Sequence, residues 1–297
     1  MNIFEYFKKF EQNKDAVKFL EQVRWKDGVI CPYCSGNKTC KHQEKKKSRW
    51  QCWNCNKSFS VTVGTIFHHT HIDLNKWFLL IALMINAKKG LSACQAARDL
   101  GMNRPTVWSM MHRIRKAMAT DQLELLKGIV EMDECYVGGK PRKSNHDDND
   151  TPNKRGRGTK KEAVLGVVER QGNVKISAVS KSMLNGKHLM DFVRKNVNIL
   201  ETILVTDEYT GYNKMKDIVA HETINHSYEY ARGDIHTNTI ESFWAILKRG
   251  IIGQFHKVSK KYLQNYLDEF EYRYNRRNQS GNDVFNNLLE RVVYVRN

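Results

Sequence analysis

The sequence predicts a multidomain chain in which two small N-terminal modules precede a larger α/β domain. Three observations support this organisation. Two C-x-x-C motifs lie near the N terminus, helical periodicity of apolar residues dominates 72–120, and strand-like runs alternate with helical runs after residue 128. A length of 297 residues suits about two domains, with room for a smaller module.

The charge balance is strongly basic. The chain carries 49 Lys and Arg residues against 32 Asp and Glu residues, a formal net charge of +17. A polyanionic partner is the simplest explanation, and nucleic acid is the commonest such partner. A general bias towards lysine is the alternative, because Asn and Lys are both abundant.

The composition also predicts a compartment. No apolar run is long enough to cross a bilayer, and the N terminus has no secretory signal pattern. Seven cysteines do not form an evident disulfide framework. We therefore expect an intracellular, reducing location and no association with a membrane.

Residues 1–28 are predicted to form an N-terminal helical segment. Asp15 is a candidate N-cap, and Val17, Leu20 and Trp25 are its apolar anchors. We assign this segment a packing role.

The next module, residues 29–62, is predicted to be a zinc ribbon. The motifs C-P-Y-C and C-W-N-C place Cys31, Cys34, Cys52 and Cys55 around the intervening residues 35–51, a spacing typical of structural zinc sites. Four thiolates close a tetrahedral Zn²⁺ site, so this zinc is expected to support folding and not catalysis. The basic hairpin between the motifs either contacts DNA phosphates or is a solvated loop.

Residues 72–120 match a helix-turn-helix pattern. Ser92 can cap a first helix, Gly101 supplies a turn, and Asn103 or Thr106 opens a second helix. An ordinary three-helix packing unit is the alternative. The candidate DNA contacts on the second helix are Arg104, Thr106, Ser109, Arg113 and Arg115.

A polar segment, 140–161, follows the first strand of the second half. It is expected to be a flexible loop in which Lys154, Arg155 and Arg157 contact the DNA backbone. An insertion without a role is the alternative.

Acidic residues lie on separate predicted elements of the second half. Asp133 is on its first strand, Asp207 ends a later strand, and Glu241 is on a helix. Carboxylates from separate elements can hold two divalent cations about 3.5–4 Å apart for phosphoryl transfer. Strand periodicity does not distinguish these residues from their acidic neighbours, which are Glu131, Glu134 and Glu208.

The same helix supplies further polar residues. Lys248 lies seven residues after Glu241, two turns along nearly the same face, and Asn238 lies three residues before it. Taken alone, this surface also fits a solvated polar face opposite an aromatic core stripe.

Several sequence blocks resemble one known family. They are W-K-D-G-V-I-C-P-Y-C, G-T-I-F, R-I-R-K-A-M, E-M-D-E-C-Y-V-G-G-K, V-T-D-E-Y-T-G-Y, H-T-N-T-I-E-S-F-W-A-I-L-K-R-G and E-F-E-Y-R-Y-N-R-R. In this order and over nearly the whole length, they resemble the ISXO-type insertion-sequence transposases, which are related to the eukaryotic Merlin elements.

The resemblance implies a DDE-type catalytic domain with an RNase H-like fold over residues 128–297. It also implies that Asp133 and Asp207 are the first two ligands of catalytic Mg²⁺ or Mn²⁺. In the family the third member is Glu or Asn, followed by Lys. We favour Glu241 with Lys248, because a carboxylate binds Mg²⁺ better than an amide does. Asn238 and His236 are the alternatives.

The sequence thus predicts a DNA transposase. It is expected to bind double-stranded DNA at the terminal inverted repeats of its element, to cleave a strand there, and to join the freed 3′-hydroxyl to target DNA. Cutting two ends in concert calls for a homo-oligomer. The expected location is the cytoplasm or nucleoid of a prokaryote, or the nucleus for a Merlin-type element. The alternatives are a non-catalytic DNA-binding regulator and a metal-dependent nuclease without strand transfer.

Overall fold

The computed structural model describes residues 2–44, 47–119, 124–138, 161–224 and 235–295. The chain forms two compact units, one made of residues 1–119 and 278–297 and the other of residues 120–277. Among the helices in these described ranges, none combines the length and the apolarity that a membrane span requires.

The first unit begins with two short helices. Helix α1 spans Ile3–Lys9 and helix α2 spans Asn13–Arg24. Asp15, the predicted N-cap, lies inside α2, where its carboxylate accepts a hydrogen bond from the Gln12 backbone N–H at 3.0 Å. Asp15 therefore accepts a capping hydrogen bond from within the first turn, and the helix begins three residues earlier than expected.

A three-stranded antiparallel sheet follows. Its strands are β1 (Thr39–Glu44), β2 (Lys47–Cys52) and β3 (Ser58–Phe59), in the order β1-β2-β3. The β1–β2 hairpin occupies the segment between the two C-x-x-C motifs, as predicted. It returns the chain so that the second motif lies beside the first.

Three helices come next, in the segment where the sequence predicts a helix-turn-helix. They are α3 (Leu74–Asn86), α4 (Ala93–Leu100) and α5 (Arg104–Met118). The Ser92 hydroxyl caps α4, Gly101 takes a left-handed conformation at φ 60°, and Asn103 caps α5. A left-handed residue after a helix is the usual place for glycine.

The C-terminal helix α9, Gly281–Val292, belongs to this first unit. The Phe285 ring lies 5.9 Å from the ring of Phe78 on α3, and Ile66 N–H donates to the Val292 carbonyl at 3.3 Å. The predicted catalytic domain, 128–297, is therefore too long at its C-terminal end. The sequence shows that α9 has an apolar face but does not show which core that face meets.

The second unit is built on a five-stranded sheet. Its strands are β4 (Leu126–Val137), β5 (Glu162–Glu169), β6 (Val174–Val179), β7 (Val197–Asp207) and β8 (Ala220–Ile224). The spatial order is β6-β5-β4-β7-β8. Strands β4, β5 and β6 are antiparallel neighbours, whereas β7 and β8 run parallel to β4. This order and these directions are those of the RNase H-like fold, which confirms the predicted fold class.

Helices cover both faces of this sheet. Helix α6 (Gly186–Asn196) packs on the core that contains Met132 and Leu204. Helices α7 (Asn238–Gly250) and α8 (Leu263–Asn275) pack on the opposite core, which contains Cys135 and Val137. Strand β4 lies at the centre and sends alternate side chains to the two cores.

Helix α8 also covers the edge strand β6. The outward N–H groups of Val174, Ile176 and Ala178 donate at 2.7–2.9 Å to side chains of α8. The acceptors are Asn275, Glu271 and Gln264. These bonds replace a missing neighbouring strand and block edge-to-edge pairing.

Candidate active site

Strand β4 sorts its acidic residues by face. Cys135 and Val137 belong to the core beneath α7. Asp133 and Glu131 are separated from them by even numbers of residues, so they face the same side of the strand. Glu134 faces the opposite side, where its carboxylate accepts a hydrogen bond from the Tyr212 hydroxyl at 2.7 Å. The structure thus separates Asp133 from Glu134, which the sequence did not.

Asp133 and Asp207 are neighbours on parallel strands. Glu131 of β4 pairs with Val205 of β7, and each aspartate lies two residues further along its strand on the same face. Asp207 accepts a hydrogen bond from the Tyr209 N–H at 3.1 Å. The negative charge of Asp207 contributes to raising the pKa of Asp133. These two predicted ligands converge at one edge of the sheet.

The surroundings of Asp133 favour its neutral form. Burial raises its pKa to about 7, and the charges of Glu134 and Asp207 add to the effect. Hydrogen bonds from the Glu134 N–H at 2.7 Å and the Trp244 indole N–H at 3.0 Å act in the opposite direction. A divalent cation beside Asp133 would offset the repulsion and favour the carboxylate.

Trp244 reaches Asp133 because Gly166 leaves room for its ring. Gly166 pairs with Asp133 on the neighbouring strand β5. A Cβ atom at position 166 would lie 2.6 Å from the tryptophan Cη2 atom. The absence of a side chain at this position therefore lets helix α7 lie close to the sheet. Both residues contribute to the site, and neither was identified from the sequence as a site residue.

The remaining predicted residues of α7, Glu241 and Lys248, are exposed, whereas Trp244 between them is buried. Glu241, Trp244 and Lys248 are spaced by three and four residues, so they share one side of the helix. Lys248 is near enough to Cys135 to oppose the rise in that thiol's pKa that burial causes. Glu241 accepts a hydrogen bond from the Thr237 hydroxyl at 3.1 Å, and Asn238 is exposed.

The third carboxylate does not complete a compact cluster. Within the described ranges, the four cysteines are the only group of three or more His, Cys, Asp or Glu residues whose donor atoms all lie within 4.8 Å of one another. Asp133, Asp207 and Glu241 do not form such a group. The structure places Asp133 and Asp207 on neighbouring parallel strands, and Glu241 does not complete a compact group with them. Ligands of two different cations about 3.5–4 Å apart need not be that close.

Glu131 has a role that the sequence did not reveal. It is fully buried, and its carboxylate accepts hydrogen bonds from Arg170, from the Thr239 hydroxyl and from the backbone of Thr239 and Ile240. A buried carboxylate needs such donors, because an unpaired one is very costly. The available sequence signal was that Glu131 lies two residues before Asp133, and therefore on the same face of the strand.

The four cysteines converge as the spacing predicts. The Sγ atoms of Cys31 and Cys55 are 3.7 Å apart, and those of Cys34 and Cys52 are 3.6 Å apart. Tetrahedral thiolates at a Zn–S distance of about 2.3 Å would be separated by roughly 3.8 Å. The donor set and its spacing thus fit a structural zinc ion.

The residues of α5 that are predicted to contact DNA divide into exposed and buried ones. Arg104 and Ser109 are exposed and Thr106 is half-buried, so the structure leaves them available. Arg113 donates to the carbonyls of Ile66 at 3.1 Å and His68 at 3.2 Å, which gives it a structural role within this unit.

Arg115 is only 1% exposed. Its prediction as a DNA contact is therefore corrected, because it lies on the inner face of α5 and offers no surface to a duplex. The loop residues Lys154, Arg155 and Arg157 lie outside the described residues.

Comparison with known proteins assigns the family. A family model described as the ISXO2-like transposase domain matches residues 125–275. The chain belongs to the ISXO2-like transposase family. A second model, described as a transposase zinc-ribbon domain, matches residues 12–58 and contains all four cysteines.

Relatives of this transposase chain have been described in two organisms. An uncharacterized protein in transposable element ISH50 of Halobacterium salinarum is 28% identical over 301 residues, which span 96% of this chain and 99% of the relative. An uncharacterized transposase-like protein of Haemophilus influenzae is 32% identical over 89 residues, which span 29% of this chain and 70% of the relative. Among solved structures, the crystal structure of a pre-cleavage Mos1 transpososome is 16% identical, and the matched region covers 72% of this chain and 76% of the Mos1 chain. Its TM-score of 0.31 is too low to bear on the fold.

Proposed function

We propose that this ISXO2-like transposase cleaves DNA at the ends of its element and joins the freed end to target DNA in a metal-dependent reaction. One observation carries the proposal. Asp133 and Asp207 lie side by side on parallel strands, and helix α7 is held against Asp133 by the Trp244 hydrogen bond. Repulsion between the two carboxylates and burial of Asp133 suit a cation site better than an empty one.

The residues fit Mg²⁺ or Mn²⁺, which prefer oxygen ligands. Asp133 and Asp207 would hold the cations together with Glu241, or with Asn238 in its place. When bound, such cations activate the attacking water or 3′-hydroxyl and stabilise the leaving oxygen. Trp244 fixes the orientation of the Asp133 carboxylate through its indole N–H.

Lys248 is proposed to contact the DNA phosphate near the cut. It is exposed on the α7 face that also carries Glu241 and Trp244. An exposed ammonium can approach a phosphate from solvent without a rearrangement of the core.

The first unit is proposed to bind the terminal inverted repeats. Its zinc ribbon would be a structural support, and Arg104, Thr106 and Ser109 would contact DNA from α5. We further propose that Lys154, Arg155 and Arg157 contact the DNA backbone. The net charge of +17 supports a DNA partner. Concerted action at two ends requires a homo-oligomer.

The decisive experiment is a nicking assay on a supercoiled plasmid that carries the DNA flanking both sides of the gene, with Mg²⁺ or Mn²⁺ added. We expect Asp133→Asn and Asp207→Asn to lower the nicking rate by at least about 100-fold. Substitution of residues that only orient metal ligands already lowers activity by up to about 100-fold. Asp217→Asn is the matched control, because Asp217 is exposed in the same unit. Nicking by Asp133→Asn or Asp207→Asn at the parental rate would refute the site.

Two other outcomes identify the alternative functions. Binding of this plasmid DNA without any metal-dependent nick would identify a non-catalytic regulator. Nicking without a joined product, detected by gel analysis of a labelled 3′ end, would identify a nuclease that lacks strand transfer.

A further inference from the structure

Glu131 lies at the centre of a buried polar network in the second unit. It is on β4, two residues before Asp133 and on the same face, and it is 0% exposed. Its Oε2 atom accepts from the backbone N–H groups of Thr239 at 2.8 Å and Ile240 at 2.9 Å. Its Oε1 atom accepts from the Thr239 hydroxyl and from Arg170 Nε, both at 2.8 Å. Both carboxylate oxygens are thus occupied by donors from other elements.

This network replaces a local cap at the start of α7. Thr237 occupies the N-cap position but makes no side-chain capping hydrogen bond there. The first-turn N–H groups of a helix need acceptors, and a negative charge is favoured at this end. Glu131 supplies both from the central strand of the sheet, 108 residues earlier in the chain.

Arg170 secures the segment that precedes the helix. Its Nη2 atom donates to the His236 carbonyl at 2.9 Å and lies 3.1 Å from His236 Nδ1. Its own backbone N–H donates to the Ile129 carbonyl of β4 at 3.0 Å. The Glu131–Arg170 pair therefore holds residues 236–240 from two sides, and each charge compensates the other in the interior.

Two attachments to β4 fix the orientation of α7. Glu131 binds the helix at Thr239 and Ile240, and Asp133 binds it one turn later at Trp244. Attachment at two successive turns restricts both rotation of the helix about its axis and translation of the helix along the strand. Glu241 lies between these attachments, so its direction is set by both.

We propose that Glu131 is a positioning residue, which holds α7 so that Glu241 and Lys248 face Asp133 and Asp207. It acts through the helix and does not itself contact metal or DNA. The inference rests on the proposed function, because it assigns a consequence to the placement of Glu241 and Lys248.

Hydrogen exchange measured by mass spectrometry tests the anchoring without any assay of activity. We expect Glu131→Gln to increase exchange of the amides in residues 236–250 by about tenfold or more, with exchange in β5 and β6 unchanged. Glu134→Gln is the matched control, because it is the same substitution on the same strand but Glu134 faces Tyr212. Unchanged exchange in residues 236–250 of Glu131→Gln would overturn the anchoring.

A metal titration tests whether the anchoring serves the site. Mn²⁺ quenching of tryptophan fluorescence reports binding beside Trp244, and Trp244→Phe verifies the source of the signal. We expect Glu131→Gln to raise the half-saturating Mn²⁺ concentration and to lower the nicking rate, each by about tenfold, as for other residues that orient metal ligands. DNA affinity is expected to stay within about twofold, because the first unit is proposed to bind the inverted repeats, and unchanged exchange in β5 and β6 verifies that the second unit is folded.

Thr239→Val provides a milder variant in case Glu131→Gln does not fold. It removes one donor to Glu131 and leaves the carboxylate and the backbone bonds in place. We expect changes in the same direction and of smaller size. Parental Mn²⁺ affinity and nicking in both variants would overturn the inference alone. A parent chain that neither binds Mn²⁺ nor nicks the plasmid would instead overturn the proposed function, and with it the role of Glu131.

Discussion

At the residue scale, Glu271 shows how burial makes a surface helix sensitive to pH. Its carboxylate accepts the Ile176 N–H of the edge strand at 2.9 Å, and burial raises its pKa to about 7. A carboxyl group with a raised pKa binds its proton more tightly in the folded protein than in the unfolded chain. Its contribution to stability is therefore present below about pH 4.5 and is lost as the pH rises to about 7.

We predict that Glu271→Gln reduces this pH dependence. Between pH 4.5 and 8, the free energy of unfolding of the variant should gain on the parent by on the order of 3 kcal/mol, because one pKa unit corresponds to about 1.4 kcal/mol. Urea unfolding of both proteins at the two pH values measures the difference. Glu222→Gln, at an exposed position, should follow the parent. An equal pH dependence in Glu271→Gln and the parent would contradict the assignment.

Gly166 is the second residue with a specific expectation. A Cβ atom there would lie 2.6 Å from the Trp244 ring. We predict that Gly166→Ala lowers the free energy of unfolding by about 1–3 kcal/mol, the usual cost of overpacking a core. It should also shift the emission of Trp244, whose indole N–H would leave Asp133. Chemical denaturation followed by fluorescence measures both effects.

The control for Gly166 is Gly253, where nothing lies within 4 Å of an added Cβ atom. Gly253→Ala should leave the unfolding free energy close to that of the parent. Equal stability of Gly166→Ala and Gly253→Ala would show that Trp244 does not pack as described.

At the element scale, we predict that the zinc ribbon depends on metal for its fold. Its buried core consists of Cys31, Cys52 and Phe59. A core of this size is too small to stabilise a fold without a bound metal or a disulfide. We predict one zinc per chain in elemental analysis, and loss of that zinc in Cys52→Ser. Limited proteolysis should then cut within residues 29–62. Cys94→Ser, at an exposed cysteine outside the cluster, should keep the metal and resist the protease. Full zinc content in Cys52→Ser would contradict the predicted ligand set.

The elements differ in how far the sequence could define them. The zinc ribbon was predictable because its ligands and turns lie within a short stretch. The buried position of Arg115 was not, since several arginines share helix α5 and only packing shows which of them face inwards. For the same reason the sequence placed α9 in the second unit, although its apolar face meets the core of the first.

At the scale of the whole molecule, the site depends on contacts between distant parts of the chain. The family resemblance predicts Asp133 and Asp207 as ligands, and their proximity follows from the parallel pairing of β4 with β7. Glu131 could not be separated from its neighbours, because its partners at 239 and 240 become visible only when α7 is docked. Long-range pairing of this kind leaves no local sequence pattern.

The central claim is that Asp133 and Asp207 hold the cations that cleave DNA, and a change of metal preference tests it most directly. The measurement is the plasmid nicking rate of Asp133→Cys and Asp207→Cys in Mg²⁺ and in Mn²⁺. A thiolate is a poor ligand for the hard Mg²⁺ ion and a better one for Mn²⁺. We predict that nicking in Mg²⁺ falls by about 100-fold and that Mn²⁺ restores a large part of it. Equal nicking by both variants and the parent in Mg²⁺ would contradict the claim.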